Sequence, residues 1–426
     1  MGLVLTRWAQ STFLALENRN FRLLFFGTLF AQLTFGMKNV VQGIVAFDLT
    51  GKNSSVGLVA LGTGVTMVVF GPVGGALGDR LSKRKLLLIS QTTIGVIFAA
   101  VGLLIVTGQI TIWLLVLSTL FLGSAFAIMG PTRQAWIGEL LSGPHLVNGI
   151  ALQQIAMNGT RVVGPFLVGA LVAISFINAG GTYLFMSGAF AVVVGMLWLM
   201  PTSAPSQPSG RSVMGDLVEG ARYIWRTPEL RLLAMLFVGT VMTAFSYQTL
   251  LPGFLNHELH RPSKDLGLFY GAAAVGGLVV TLFLAGNAKR STWSLMFVVG
   301  ALLGLSLLGL AAAPNVALAL TAMVGVGAFS SAFQLLNNVN LMRLCAPEFY
   351  GRVMSVTMMS FGLSSIASYP IGVLADRVGE RASLVGCACG ALIVVVSGLI
   401  AVRRISSSVA SLAATALEER IVVSAP

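Results

Sequence analysis

At 426 residues the chain is 56% hydrophobic and only 9% charged, whereas a soluble domain carries charge on about a quarter of its residues, so the composition excludes an ordinary cytosolic globule and points to a membrane protein. The formal charge of +12 would suit a nucleic acid only if Lys and Arg clustered on a solvated domain. No segment outside the apolar runs is long enough to fold as one, so no nucleic-acid partner is expected.

The first twenty residues contain no apolar core followed by a small-residue cleavage site, so no removable signal peptide is expected and the first span is predicted to stay as an anchor. A spanning helix uses about 20 apolar residues. On that measure the apolar runs predict twelve spans, at 21–47, 54–77, 86–108, 111–131, 150–175, 182–200, 229–255, 267–286, 293–312, 315–341, 351–375 and 382–402. The breaks carry turn chemistry, as at Thr50-Gly51-Lys52-Asn53, Ala179-Gly180-Gly181 and Ala313-Pro314-Asn315. The longest break starts as a Pro/Ser linker at Pro201 and continues as a helical stretch, Val213–Trp225. There Val213, Leu217 and Ile224 recur at helical spacing opposite Asp216, Glu219, Arg222 and Arg226, which predicts an interfacial helix. The expected organisation is an N-terminal segment (1–20), a six-helix bundle (21–200), a linker (201–228), a second six-helix bundle (229–402) and a tail (403–426).

The halves echo each other. Asn20-Phe21-Arg22-Leu23-Leu24 opens span 1 and Glu229-Leu230-Arg231-Leu232-Leu233 opens span 7, as expected of two parallel repeats. With both termini on one side, that side collects most of the Lys and Arg. The other has Lys52, Arg261, Lys264, Arg377 and Arg381, so the termini are expected in the cytoplasm and the excess base is topology. Three cysteines, Cys345, Cys387 and Cys389, form neither a disulfide framework nor a metal-ligand pattern.

Two cations remain inside spans, Lys38 and Arg161. At a bilayer centre either costs about 2.5 to 3.5 kcal/mol, so both are expected to point inward, toward a partner or a wet cavity. Thr34 and Gln42 share a helical stripe with Lys38, and Gln154 and Asn158 one with Arg161. Thr243 and Tyr247 on span 7, and Gln334, Asn337 and Asn338 on span 10, supply polar groups from the other half. A cavity with two cations and no buried acid should attract an anion or an acceptor-rich ligand. No Asp or Glu lies in the middle of a span, so border acids such as Asp48 and Asp376 are the candidates for proton coupling.

The turn after span 2 reads Gly75-Ala76-Leu77-Gly78-Asp79-Arg80-Leu81-Ser82-Lys83-Arg84-Lys85. It resembles the signature loop of the major facilitator superfamily, GxxxDRxGR followed by a basic residue. Gly75, Asp79 and Arg80 match, Ser82 and Lys83 depart mildly, and Arg84 fills the last basic position. Span 5 carries Gly159, Gly164, Pro165 and Gly169 in a pattern similar to the GPxxGG motif of antiporters in that superfamily, with the final glycine one residue late and Ala170 for the second. The chain is most similar to the branch of enterobactin exporters and macrolide efflux proteins; the lysophospholipid transporter branch is not far away.

The resemblance implies the major facilitator fold and alternating access, with Asp79 and Arg80 latching the cytoplasmic gate and Arg133 and Glu139 as their partners. It further implies a monomer in the cell membrane that exports a small amphipathic molecule against protons, without a cofactor. An importer of the same fold, a non-transporting receptor and a membrane enzyme are the alternatives. The enzyme reading has little to stand on. His257-Glu258-Leu259-His260 spaces its histidines three apart instead of four, so no metal site is expected, and no P-loop occurs.

Overall fold

The computed structural model describes residues 14–80, 82–173, 178–202, 213–286, 293–346 and 349–423. The long helices are α1 (Arg19–Thr50), α2 (Asn53–Arg80), α3 (Lys83–Val106), α4 (Ile112–Leu140), α5 (Gly143–Ala173) and α6 (Asn178–Trp198). After the short α7 (Val213–Arg226) come α8 (Pro228–Ala244), α9 (Tyr247–Gly253), α10 (Leu266–Gly286), α11 (Trp293–Ala312), α12 (Val316–Leu344), α13 (Tyr350–Val378) and α14 (Glu380–Val423). Their starts are set by local chemistry. Asn18, Ser82, Thr111 and Asn315 each accept a backbone N–H of the first turn on the side chain.

Among the described residues, ten helical segments are long and apolar enough to cross a membrane. The long helices outside that set are α5 and α13. Both include side chains outside the described residues, and both carry polar groups, α5 with Gln153, Gln154, Asn158 and Arg161, and α13 with Ser355, Ser360, Ser364, Ser365 and Ser368. The exterior is apolar where lipid would lie: on α3, Ile89, Val96 and Leu103 repeat every seventh residue and are 63%, 61% and 55% exposed.

The packing repeats along the chain. In the first half α1 packs on α5 and α6, α2 on α4, and α3 on α4 and α6. In the second, α8 packs on α13 and α14, α10 on α12, and α11 on α12 and α14, the same pairings with α8 in the place of α1 and α10 to α14 in the places of α2 to α6. The halves meet through α2 against α13 and α5 against α10, a pair that also maps onto itself.

Three boundaries differ from the sequence reading. Helix α4 continues past 131 to Leu140, which carries Arg133 and Glu139 into the helix, and α5 starts at Gly143 instead of 150. Hydropathy reports the bilayer and not the helix, so polar turns beyond the apolar run escape it. The seventh apolar run is not one helix: α8 ends at Ala244, α9 follows, and a π turn spans Phe254–Glu258. Pro252 has no N–H to bond the carbonyl one turn earlier, and Thr243 and Ser246 bond back to Gly239 and Met242 carbonyls at 2.7 Å each. The tail from 403 is a continuation of α14.

Candidate functional site

Lys38 lies on α1 with 2% of its surface exposed. Its Nζ is 3.5 Å from Thr63 Oγ1 on α2 and 5.6 Å from the centre of the Phe35 ring, which packs edge-on against Phe126 of α4. Among the described residues no carboxylate pairs with it. The ammonium therefore meets one hydroxyl dipole and one π face. Both are attractive, but neither cancels a charge. On the same helix Thr34 is fully buried and donates to the Ala31 carbonyl at 2.8 Å, while Gln42 is buried with Oε1 unpartnered. The expected stripe is thus inside, but Thr34 is already satisfied by its own helix.

The glycine-proline segment of α5 touches this place. A Cβ at Gly164 would stand 3.0 Å from the Leu33 carbonyl oxygen and 3.2 Å from Gly36 Cα, so α5 crosses α1 next to Lys38 on a bare backbone. Gly164→Val is expected to force the helices apart and cost about 1–3 kcal/mol, read as a lower melting temperature of the purified protein, with Gly159→Ala, whose Cβ would meet nothing within 4 Å, as the neutral control. The side chains of Arg161, Gln154, Asn158 and Pro165, and the surroundings of Gly169, lie outside the described residues.

In the second half, Asn337 of α12 is fully buried, and among the described residues neither of its amide atoms nor Asn338 Oδ1 has a partner. An unpaired buried amide costs about 1–3 kcal/mol, so such groups call for a water or a ligand. Gln334 is half-buried, Tyr247 is buried, and Thr243 is half-buried with its hydroxyl given to Gly239. No hydrogen bond among the described residues joins this cluster to Lys38.

One end of the molecule is closed by hydrogen bonds between the halves. After Gly51, whose φ of 66° makes the turn, α2 begins at Asn53 with two orphan N–H groups. Asp376, at the far end of α13, accepts both on its two oxygens: Asn53 N at 2.8 Å and Ser54 N at 3.0 Å. Glu380 accepts from Asn53 Nδ2 at 2.8 Å and contacts His257 Nδ1 at 2.7 Å. Ser263 donates to Asp48, and Arg381 binds Glu258 at 2.5 Å and the carbonyls of Ala311 and Ala313 at 2.9 and 3.1 Å. Below the latch the two backbones touch: a Cβ at Gly57 would lie 2.7 Å from Tyr369 Cα, and one at Gly64 2.6 Å from the Gly362 carbonyl oxygen.

The opposite end is held mainly within each half. Lys83 pairs with Glu139 across α3 and α4, so Glu139 has a partner from the signature loop itself. Arg84 donates to the carbonyls of Leu197 and Trp198 at 3.1 and 2.6 Å, which ties α3 to the end of α6. Arg133 does not pair with Glu139. It is 4% exposed, and its Nε and Nη2 have no partner among the described residues. The surroundings of Gly75 and the side chains of Asp79 and Arg80 lie outside the described residues.

Sequence reasoning missed Asn53, Ser263, Glu380 and Thr63. None is unusual where it stands, and His257, considered above only as a metal ligand, is tied to Glu380. Thr63 gains its role only where α2 packs on α1, and Asn53, Ser263 and Glu380 only where the halves meet.

The repeated helix pairs and apolar exterior define a membrane carrier of two related halves. The chain belongs to the Major Facilitator Superfamily, whose sequence profile matches residues 24–369; it is a transporter and not an enzyme. It is 24% identical to the staphyloferrin A transporter of Staphylococcus aureus over 346 residues, 79% of this chain and 85% of that one. The enterobactin exporter EntS of Citrobacter koseri is 26% identical over 71% of this chain and 73% of its own length, and the multidrug efflux pump Tap of Mycolicibacterium fortuitum 28% over 84% and 89%. In fold, the chain is similar to the nucleoside transporter NupG, with a TM-score of 0.72 at 12% identity, covering 90% of this chain and 99% of that one.

Proposed function

We propose that this chain is a proton-coupled exporter of a small, anionic, amphipathic molecule, working by alternating access between two six-helix bundles, twelve spans in all. The observation that carries the reading is Lys38: a buried ammonium whose contacts among the described residues are all neutral. Such a site binds an anion better than it binds nothing. Carboxylate, phosphate or catecholate cargo fits this chemistry, and the names of the siderophore and efflux relatives point the same way.

Both termini are placed in the cytoplasm by the bias of Lys and Arg, which makes the Asp376 end the outer gate and the Lys83 end the inner one. The hydrogen-bonded outer end then corresponds to a carrier shut to the exterior. The residues expected to meet cargo are Lys38, Arg161, Gln42, Gln154, Asn158, Tyr247, Gln334, Asn337 and Asn338, with Thr34 and Thr243 in supporting positions. The inner latch is assigned to Asp79 and Arg80, with Gly75 supporting the approach of α2, and to Lys83, Arg84, Arg133 and Glu139. Asp48 and Asp376 are the coupling acids, and the cell membrane is the location.

Purified protein in proteoliposomes, given fluorescent anionic and cationic amphiphiles of equal size, tests this. Transport of the anionic probe should require a pH gradient and collapse in Lys38→Ala. Equal handling of both probes, or gradient-independent transport in wild type and variant alike, would overturn it.

A further inference from the structure

Helix α7 is fastened on one side and bare on the other. Its fastened side faces the start of α13. Glu219 pairs with Arg352 at 3.1 Å, and Tyr223 stacks on Phe349 with ring centres 4.2 Å apart and planes within 6°. The Tyr223 hydroxyl accepts the Ala346 N–H at 3.2 Å, and Gly220 lets the helix lie directly against Arg352, where a Cβ would be 2.7 Å from that residue's own.

The bare side presents Val218 and Trp225, 51% and 58% exposed, with Arg222 and Arg226 exposed beside them. Arg231, exposed on the first turn of α8, places its guanidinium 5.9 Å from the centre of the Trp225 ring. None of these three arginines has a carboxylate partner among the described residues, although the half-buried Glu229 is close in sequence. Trp225 stands three residues before Pro228, where an apolar segment long enough to cross a membrane begins. The corner therefore sits at the level of the headgroups, where Trp is at home and Arg can keep its stem in the apolar layer.

Trp225 alone would be content against any phospholipid. Three guanidinium groups without a carboxylate among the described residues would not: they match phosphodiester oxygens, and a net negative headgroup best of all. We propose that the α7–α8 corner, formed by Trp225, Arg222, Arg226 and Arg231, binds the headgroups of anionic phospholipids. The bound lipid pins α7 to the membrane surface and, through Glu219 and Tyr223, steadies the end of α13 opposite the Asp376 latch.

The test needs no cargo, so it stands apart from the transport reading. Full-length protein is placed in nanodiscs of phosphatidylcholine in which a minor fraction is brominated, either as phosphatidylcholine or as phosphatidylglycerol. The fluorescence difference between wild type and Trp225→Phe isolates Trp225. Brominated phosphatidylglycerol should quench it well beyond its mole fraction, with each arginine contributing about five-fold in preference. Arg222→Gln, Arg226→Gln and Arg231→Gln together should return quenching to random mixing. Should the triple variant fail to fold, each single variant should still lose about five-fold. Equal quenching by the two lipids in wild type, or an undiminished preference in the arginine variants, overturns the proposal and leaves an acidic protein segment as the occupant to seek.

Discussion

Asp376→Ala should release the end of the molecule that Asn53 and Asp376 hold shut, and amide exchange at the start of α2 should rise at least ten-fold. The carboxylate serves two backbone donors at once, at 2.8 and 3.0 Å, from a helix in the other half of the chain. Hydrogen bonds to a charged group contribute about 1.5–3 kcal/mol each when buried, and less here because Asp376 is exposed. Even about 1.4 kcal/mol shifts the opening equilibrium ten-fold. The measurement is hydrogen exchange by mass spectrometry on peptides covering 50–60, with peptides from α3, which takes no part in the latch, as the internal control. Glu380→Gln keeps an acceptor for Asn53 Nδ2 and loses only the charge facing His257, so its effect should be smaller. Unchanged exchange at 50–60 in Asp376→Ala would mean that the α2–α13 backbone seam, and not the carboxylate, closes this end.

How much of this was legible beforehand follows from the range of each signal. Apolar runs and cap residues act locally, so the positions of the helices could be read from the sequence, and so could the amphipathic α7. The breaks in the seventh run could not, because apolar residues on both sides of Phe245 satisfy a hydropathy window whether or not the helix is continuous. Lys38 could be predicted to point inward from its cost in lipid alone, and it does. That Phe35 lies beside it follows from their spacing of three on one helix, but that Thr63 would meet it could not be read, since that contact depends on the rotation of α2 against α1.

The latch was beyond reach for a stronger reason. Asn53 and Asp376 are separated by 323 positions, and each reads as an ordinary turn or helix-end residue. Asp376 stood out only as a border acid. Its work as a cap for another helix exists only once α2 and α13 lie side by side. Similarly, that Glu139 meets Lys83 of the signature loop and that Arg133 lies buried is fixed only once α3 and α4 pack together.

Lys38→Met separates a structural role for this residue from a functional one, and the two readouts should move in opposite directions. Methionine has nearly the same length and no charge, so it removes a buried ammonium that no carboxylate among the described residues offsets. Replacing uncompensated buried charge by an apolar side chain of similar volume is neutral or stabilising by about 1–4 kcal/mol. The melting temperature of the purified variant should hold or rise, by about 1 °C per kcal/mol gained in a chain of this length. Anionic cargo, in contrast, would lose its only described cationic contact on α1. A fall of about a hundred-fold in its transport corresponds to roughly 2.7 kcal/mol, within the range of one desolvated charge pair. Neutral amphiphiles of the same size should be carried nearly as before, and Lys38→Arg should recover part of the anionic transport, because it restores the charge with a bulkier head beside Phe35. The opposite pattern, a protein that melts earlier yet still carries anions, would make Lys38 a packing residue of the α1–α2 contact through Thr63 and would move the search for the cargo's counter-charge to Arg133 and Arg161.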